Sequence, residues 1–211
     1  MAVIVSPSRR VLFVHVQKTG GSTVDTVLKD ALPDAADVGG LPGDRHARLR
    51  AALRAHPDYR DYWTFGFVRN PWARMWSWYS MIERRGQFAD RGNERVQRRI
   101  ERSDFWSAVL AEIADFEAFV MVGPDRFPRL RVPQVTYLRA KDRTADFVGR
   151  TETFDADMAT VCDHIGIPAP AALPRTNSGP GGDWRSQYTP VMRQRVADLY
   201  ALDLKVYGYE F

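Results

Sequence analysis

The first residues that could do chemistry lie at positions 15–23, which read His-Val-Gln-Lys-Thr-Gly-Gly-Ser-Thr. An apolar, β-branched run precedes them and a helix-forming run follows, which predicts a strand, a glycine-containing loop and a helix N-terminus in that order. The N–H groups and the positive dipole end of such a helix attract an anion. Lys18 adds a full charge, and it is one of only four lysines against twenty-six arginines. The segment therefore predicts a site for a phosphate-like group.

A second strand-to-helix junction begins at Arg69, which ends another apolar run. Asn70 and Pro71 follow in the preferred order of N-cap and first helical residue. The guanidinium of an arginine is a planar fork that matches phosphate oxygens. Ser77 lies about two turns into the helix, on a face that it shares with Arg74, so one of these two could reach the same anion. If the two strands are neighbours, the site has two anion pockets, which one ligand with two phosphate-type groups would fill.

The composition is compatible with a single domain over residues 1–211. Hydrophobic residues make up 45% of the chain, which is enough to fill a core at this length. The net charge of +4 predicts an anionic partner without identifying it. The densest basic run, residues 84–102, also holds acidic residues at helical spacing from its arginines. This pattern favours a solvated, salt-bridged helix over a nucleic-acid surface.

Targeting and redox signals favour the cytoplasm. Residues 1–10 lack the apolar segment of a signal peptide, and no run approaches the ~18 apolar residues of a membrane span. Cys162 is the only cysteine, so no disulfide can form within the chain. We therefore expect a cytoplasmic protein without a membrane span.

The pattern of apolar residues and helix signals predicts an α/β fold with three layers, a small central parallel sheet flanked by helices. Ligands of such sheets bind at the carboxyl ends of the strands. The predicted strands are 10–16, 62–69, 134–138 and 147–150. The predicted helices are 22–32, 46–55, 71–85, 93–103, 105–114, 116–122, 155–165 and 189–200, and the main predicted loops are 34–44, 124–133 and 168–183.

The order of residues in the first loop differs from that of a P-loop nucleotidase. The motif G-x-x-x-x-G-K-[ST] places its lysine after the glycines and beside a hydroxyl that binds a metal ion. Here Lys18 precedes Gly20 and Gly21, and no apolar strand that ends in an acidic metal ligand is evident. The loop favours a phosphate-type group that needs no Mg²⁺, and it disfavours a kinase.

Both junctions resemble motifs of the sulfotransferase family that includes heparan sulfate 2-O- and other carbohydrate sulfotransferases. Residues 14–23 are similar to the family's 5′-phosphosulfate loop, and residues 67–79 resemble its 3′-phosphate motif, R-N-P-x-x-R-x-x-S-x-Y. Weaker likeness continues at 133–138, 148–150, 177–178 and 207–209. The chain departs from the family at Gln17, where a proline usually precedes the lysine.

The resemblance implies a P-loop-like fold and 3′-phosphoadenosine-5′-phosphosulfate (PAPS) as the sulfuryl donor, with no metal ion. It assigns Lys18 to catalysis, at the 5′-phosphate and the bridging oxygen, and Arg69 and Ser77 to the 3′-phosphate. Golgi members of the family carry a membrane anchor, so a bacterial-type cytoplasmic enzyme is the closer match. The other donor-binding residues that the resemblance implies are Thr19, Gly20, Gly21, Ser22 and Thr23.

A general base must take the proton of the acceptor hydroxyl, and an imidazole titrates in the right range for that task. His15 lies in a predicted strand, while His56 and His164 lie near helix ends, where packing or capping is expected. His46 begins a predicted helix upstream of the second strand, and related sequences often carry a histidine in this region. We predict His46 as the base, and Asp44 is the fallback.

The sequence does not identify the acceptor of the sulfuryl group. A hydroxyl of an oligosaccharide or of a small metabolite is expected, and a nucleic-acid partner is not. Two rival hypotheses come from other classes: a P-loop-type kinase that uses Mg-ATP, and a non-catalytic module that binds nucleic acid or another anion.

Overall fold

The computed structural model describes residues 3–43, 46–174 and 183–211. The chain divides into two compact units, each with its own apolar core. Unit 1 consists of Met1–Arg69 and Gln134–Ser178, and unit 2 of Asn70–Pro133 and Gly179–Phe211. The single domain expected for residues 1–211 stays a prediction.

Unit 1 is built on a mixed, five-stranded open sheet. Its strands are β1 (Ile4–Ser6), β2 (Val11–Val14), β3 (Ala36–Asp37), β4 (Trp63–Val68) and β5 (Phe147–Arg150). Their order across the sheet is β3-β1-β2-β4-β5. Strands β2, β4 and β5 are parallel, whereas β1 is antiparallel to both β2 and β3. The predicted parallel sheet is thus correct for three strands and wrong for the other two.

The antiparallel edge arises from a tight turn that the sequence pattern did not reveal. β1 turns back into β2 through residues 7–10, where Arg10 adopts a φ of 53° and donates its N–H to the carbonyl of Pro7. A connection this short can join only antiparallel neighbours. Strands of two or three residues carry almost no alternation of apolar and polar positions, so β1 and β3 were not predicted.

The remaining elements are helical. The α-helices are α1 (Gly21–Ala31), α2 (Leu49–Ala55), α3 (Pro71–Asp90), α4 (Glu94–Glu101), α5 (Asp104–Glu112), α6 (Phe116–Met121), α7 (Gly123–Arg126), α8 (Val135–Leu138), α9 (Phe154–Ile165), α10 (Pro190–Leu199) and α11 (Ala201–Tyr207). Helices α1, α2, α8 and α9 belong to unit 1, and the others belong to unit 2. Within the described ranges, no helix is both long enough and apolar enough to cross a membrane.

Helices cover both faces of the sheet in unit 1. Phe13 and Phe65 lie on the face against which α1 and α9 pack. On the opposite face Gly66 lies against Leu138 of α8, so closely that a Cβ at Gly66 would be 2.4 Å from the leucine side chain. Strand β2 is buried along its whole length, in agreement with its continuous apolar run.

Cys162 belongs to this core rather than to any reactive site. It lies on α9, only 1% exposed, among the apolar residues that contact the sheet. Burial raises the pKa of its thiol, so the side chain stays protonated and packs as a small apolar group.

Unit 2 is helical, and its first helix starts as predicted. The side chain of Asn70 accepts hydrogen bonds from the N–H groups of Trp72 and Ala73, and Pro71 occupies the first helical position. The core around α3, α6 and α10 is rich in aromatic rings, and its members include Trp72, Trp78, Phe119, Tyr188 and Tyr200.

Several predicted elements differ from the structure. Helix α3 continues to Asp90 instead of ending near residue 85, and the predicted loop at 34–44 contains strand β3. The predicted strand at 134–138 is instead Gln134 followed by helix α8, because one helical turn buries Val135 and Leu138 on the same side. The predicted loop at 124–133 contains helix α7 and a 3₁₀ turn, each with a proline at its start, where the missing N–H costs nothing. Helix α2 begins at Leu49, so His46 precedes that helix rather than starting it.

We predict that Gly66→Ala destabilises the protein by about 1–3 kcal/mol. The added Cβ would lie 2.4 Å from the side chain of Leu138 and 2.9 Å from the carbonyl oxygen of Val14, a backbone atom that cannot easily move. Chemical denaturation measures the change in the free energy of unfolding. Gly39→Ala is the matched control, since its Cβ would meet nothing within 4 Å. Equal stability of the two variants would contradict the close packing of β4 against α8.

Candidate functional site

The loop between β2 and α1 has an unusual backbone. Lys18 has a φ of 69°, and among the described non-glycine residues only Arg10 shares this left-handed conformation. Gly20, the N-cap of α1, is left-handed as well, with a φ of 81°. A non-glycine residue pays about 1–2 kcal/mol for this conformation, so the surrounding contacts must hold Lys18 in place.

Two glycines let α1 approach the end of β2. A Cβ on Gly21 would lie 2.0 Å from the ring of His15, and a Cβ on Gly20 would lie 2.7 Å from the ring of Phe154. The His15 side chain is only 6% exposed and has little room to move aside. The adjacent glycines are therefore required by packing, and they bring the first turn of α1 onto the carboxyl end of the central strand.

The N-terminus of α1 keeps its positive character. No side chain of the described residues caps it, and its first turn contains no acidic residue that could neutralise the dipole. Lys18 stands three residues before the helix and is half-buried. The loop thus combines a helix N-terminus with a lysine, an arrangement suited to an anionic group.

Two threonines of the loop use their hydroxyls within unit 1. The Thr19 hydroxyl is buried and donates to the carbonyl of Val16 at 2.9 Å. The Thr23 hydroxyl donates to the carbonyl of Pro174 at 2.7 Å. The backbone N–H of Thr23 donates to the carbonyl of Gly20 at 2.9 Å. These hydrogen bonds maintain the shape of the loop.

His46 lies at the end of β2, beside the start of this loop. Its Nδ1 is 3.3 Å from the carbonyl oxygen of His15, and the two imidazole rings meet edge to face at 4.7 Å. A carbonyl oxygen only accepts, so this hydrogen bond needs a proton on Nδ1. The carbonyl oxygen of Gly43 accepts the N–H of His46 at 3.1 Å, in a turn where Gly43 has a φ of 94°. Asp44, the fallback base, lies outside the described residues.

The parallel strands β4 and β5 bring arginines to the edge of the sheet where β2 also ends. Val14, the last residue of β2, pairs with Gly66, and Val68, the last residue of β4, pairs with Arg150. Arg69 follows β4 directly. Both arginines are half-buried. The sequence motif predicted Arg69, whereas Arg150 belongs only to a segment of weak likeness. The signal for Arg150 is an arginine at the end of a parallel strand.

Two further motif residues belong to unit 2. Ser77 lies on α3 and is half-buried. Arg74, the alternative to Ser77 in the sequence analysis, is 1% exposed. Its guanidinium donates to the carbonyl of Val132 at 3.3 Å and lies 5.7 Å from the centre of the Tyr200 ring. Both of these partners of Arg74 belong to unit 2.

The described part of the chain holds no group of three or more His, Cys, Asp or Glu side chains arranged to bind a metal ion. The metal independence expected from the sequence stays a prediction.

A lysine loop at a helix N-terminus, with arginines at the ends of neighbouring parallel strands, is typical of α/β proteins that bind phosphate-type groups. A family model described as "Sulfotransferase family" matches residues 1–210, and the chain belongs to this family. The resemblance found in the sequence is thereby confirmed. No curated protein matches the chain significantly, and no solved structure does. The likeness to P-loop folds stays a prediction.

We predict that Thr19→Val lowers the free energy of unfolding by about 1 kcal/mol and loosens the loop, because it leaves the Val16 carbonyl without the Thr19 donor. Amide hydrogen exchange over residues 17–20 should speed up in this variant. The control is Thr160→Val, which removes a similar hydrogen bond to Ala156 from the exposed face of α9. If both variants exchange alike, the Thr19 hydroxyl does not hold the loop.

Proposed function

We propose that the protein is a PAPS-dependent sulfotransferase, which transfers the sulfuryl group of PAPS to a hydroxyl of a carbohydrate or small-molecule acceptor. Family membership supports sulfuryl transfer. The observation that carries the proposal is the left-handed Lys18 beside the uncapped N-terminus of α1. This arrangement supplies both a full positive charge and backbone N–H donors to a phosphate-type group.

Each residue of the loop has a defined task in this proposal. The Lys18 ammonium binds the 5′-phosphate and the bridging oxygen, where negative charge grows as the S–O bond breaks. The N–H groups from Thr19 to Ser22, with the Ser22 hydroxyl, hold the same phosphate. Thr23 supports the loop through its bonds to Gly20 and Pro174.

The 3′-phosphate distinguishes PAPS from other adenine nucleotides, and we assign it to Arg69. Its guanidinium can form paired, charge-assisted hydrogen bonds with phosphate oxygens. Ser77 is assigned to the same phosphate on the motif alone.

His46 is proposed as the general base. Its Nε2 accepts the proton of the acceptor hydroxyl, and the hydroxyl oxygen attacks the sulfur in line with the leaving phosphate. The bond between the sulfur and the bridging oxygen breaks, and its electron pair stays on the 5′-phosphate. The products are a sulfate ester and adenosine 3′,5′-bisphosphate, and the proton leaves through His46.

No metal ion takes part in the proposed reaction, because Lys18 and the α1 dipole supply the positive charge. We propose a P-loop-like, nucleotide-binding fold for the enzyme and a cytoplasmic location, which its single cysteine supports. The acceptor is proposed to be an oligosaccharide or a small metabolite.

A thermal-shift comparison tests the donor. In EDTA, adenosine 3′,5′-bisphosphate at about 100 times its Kd should stabilise the protein by ~2.7 kcal/mol and raise the Tm by about 5–10 °C. A shift with Mg-ATP alone would instead indicate a kinase. A shift with DNA or heparin and with no nucleotide would indicate a binding module. Transfer from labelled PAPS across a panel of hydroxyl acceptors then tests catalysis directly.

We predict that His46→Ala lowers kcat by about 10²–10⁴-fold, the usual contribution of a positioned base. The Kd for adenosine 3′,5′-bisphosphate should change less than about twofold, since the base acts on the acceptor. His56→Ala is the control: this histidine stacks on Tyr59 at 4.8 Å and should keep normal turnover. A near-normal kcat in His46→Ala would remove His46 from the mechanism.

A further inference from the structure

The amide of Gln134 forms two hydrogen bonds with the backbone of a single residue. Its Oε1 accepts the N–H of Arg69 at 2.9 Å, and its Nε2 donates to the carbonyl of Arg69 at 2.7 Å. The Gln134 residue is fully buried, at 0% exposure. Exchanging the amide O and N would place a donor against a donor and an acceptor against an acceptor, so these two bonds determine the orientation of the amide.

These two bonds lie on either side of the Arg69 Cα. Arg69 follows the last residue of β4, where the pairing of β4 with β5 ends at Val68 and Arg150. Gln134 thus binds the N–H and the carbonyl of the first residue beyond the ladder, as a neighbouring strand would. Because one bond restrains φ and the other restrains ψ, the direction of the Cα–Cβ bond of Arg69 is held as well.

Gln134 is itself anchored in unit 1. It precedes α8, and its carbonyl accepts the N–H of Tyr137 at 3.0 Å. The next residue, Val135, and Leu138 are both buried, and Leu138 packs against Gly66 of β4. The glutamine is therefore attached to the same strand whose end it holds.

We propose that Gln134 is a positioning residue for Arg69 and that it sets the preference of the enzyme for a donor with a 3′-phosphate. This inference rests on the proposed function, in which Arg69 binds that phosphate. A planar guanidinium forms paired hydrogen bonds only within a narrow range of directions. Loss of the two backbone bonds lets the Arg69 side chain leave that range, and the affinity that depends on the 3′-phosphate falls.

The test compares two ligands that differ only in the 3′-phosphate. Isothermal titration calorimetry gives the Kd of adenosine 5′-monophosphate and that of adenosine 3′,5′-bisphosphate. The first Kd divided by the second is the ratio that measures the contribution of the 3′-phosphate. Gln134→Met, which is similar in size but cannot form either bond, should lower this ratio by about tenfold. The Kd of the monophosphate should stay within about twofold, whereas a merely destabilised protein would keep its ratio.

A second variant and a control keep the test decisive. Gln134→Leu also keeps a buried side chain at this position but can form neither bond, so the ratio should fall in the same way. In an Arg69→Ala background neither substitution should change the ratio further. Gln97→Met removes a glutamine bond to the carbonyl of Ala89 in unit 2 and should leave the ratio at its wild-type value.

The outcomes separate this inference from the proposed function. If the wild-type protein does not prefer the bisphosphate, the proposed donor is wrong. If the wild type prefers it and Arg69→Ala loses the preference, but both Gln134 variants keep it, the positioning role is overturned and the donor stands. If Arg69→Ala also keeps the preference, Arg69 is not the ligand and the inference fails with it.

Discussion

The contact between the first turn of α1 and the end of β2 is the constraint on which the candidate site depends. The His15 ring occupies the space that a side chain at position 21 would need. With glycine there, the helix N-terminus is held at the carboxyl end of the central strand. The dipole of α1 and the charge of Lys18 then act at the edge of the sheet where the parallel strands end. The left-handed backbone of Lys18 is the conformational cost of this close junction.

His15 connects this loop with the proposed base. Its ring contacts the first residue of α1, and its carbonyl oxygen accepts from His46. This one buried residue, directly after β2, therefore lies against the start of α1 and also binds Nδ1 of His46. Groups held by a rigid strand keep their geometry better than groups that depend on loops alone. The sequence predicted a packing role for His15, which agrees with its burial, but no local pattern indicates its contact with His46.

Much of the fold follows from local patterns. The continuous apolar runs of β2 and β4, the Asn-Pro start of α3 and the length of α9 are properties of neighbouring residues, and each prediction is confirmed within a few positions. The errors occur where a local preference competes with packing. Residues 134–138 have the β-branched and aromatic composition of a strand. They form a helical turn because Gln134 pairs with Arg69 and one turn buries Val135 and Leu138 together.

The sequence alone determined the family, the loop with Lys18 and the strand-end Arg69, because these signals are contiguous and their chemistry belongs to residue type. Only the tertiary structure decided which residues support them. Gln134 is sixty-five positions from Arg69, and His46 is thirty-one from His15. Such pairs leave no local pattern, since their partners meet only when parallel strands align and helices pack on the sheet. The sequence therefore indicates the kind of ligand that the proposed anion site would bind, whereas the geometry of that site arises from contacts that folding alone creates.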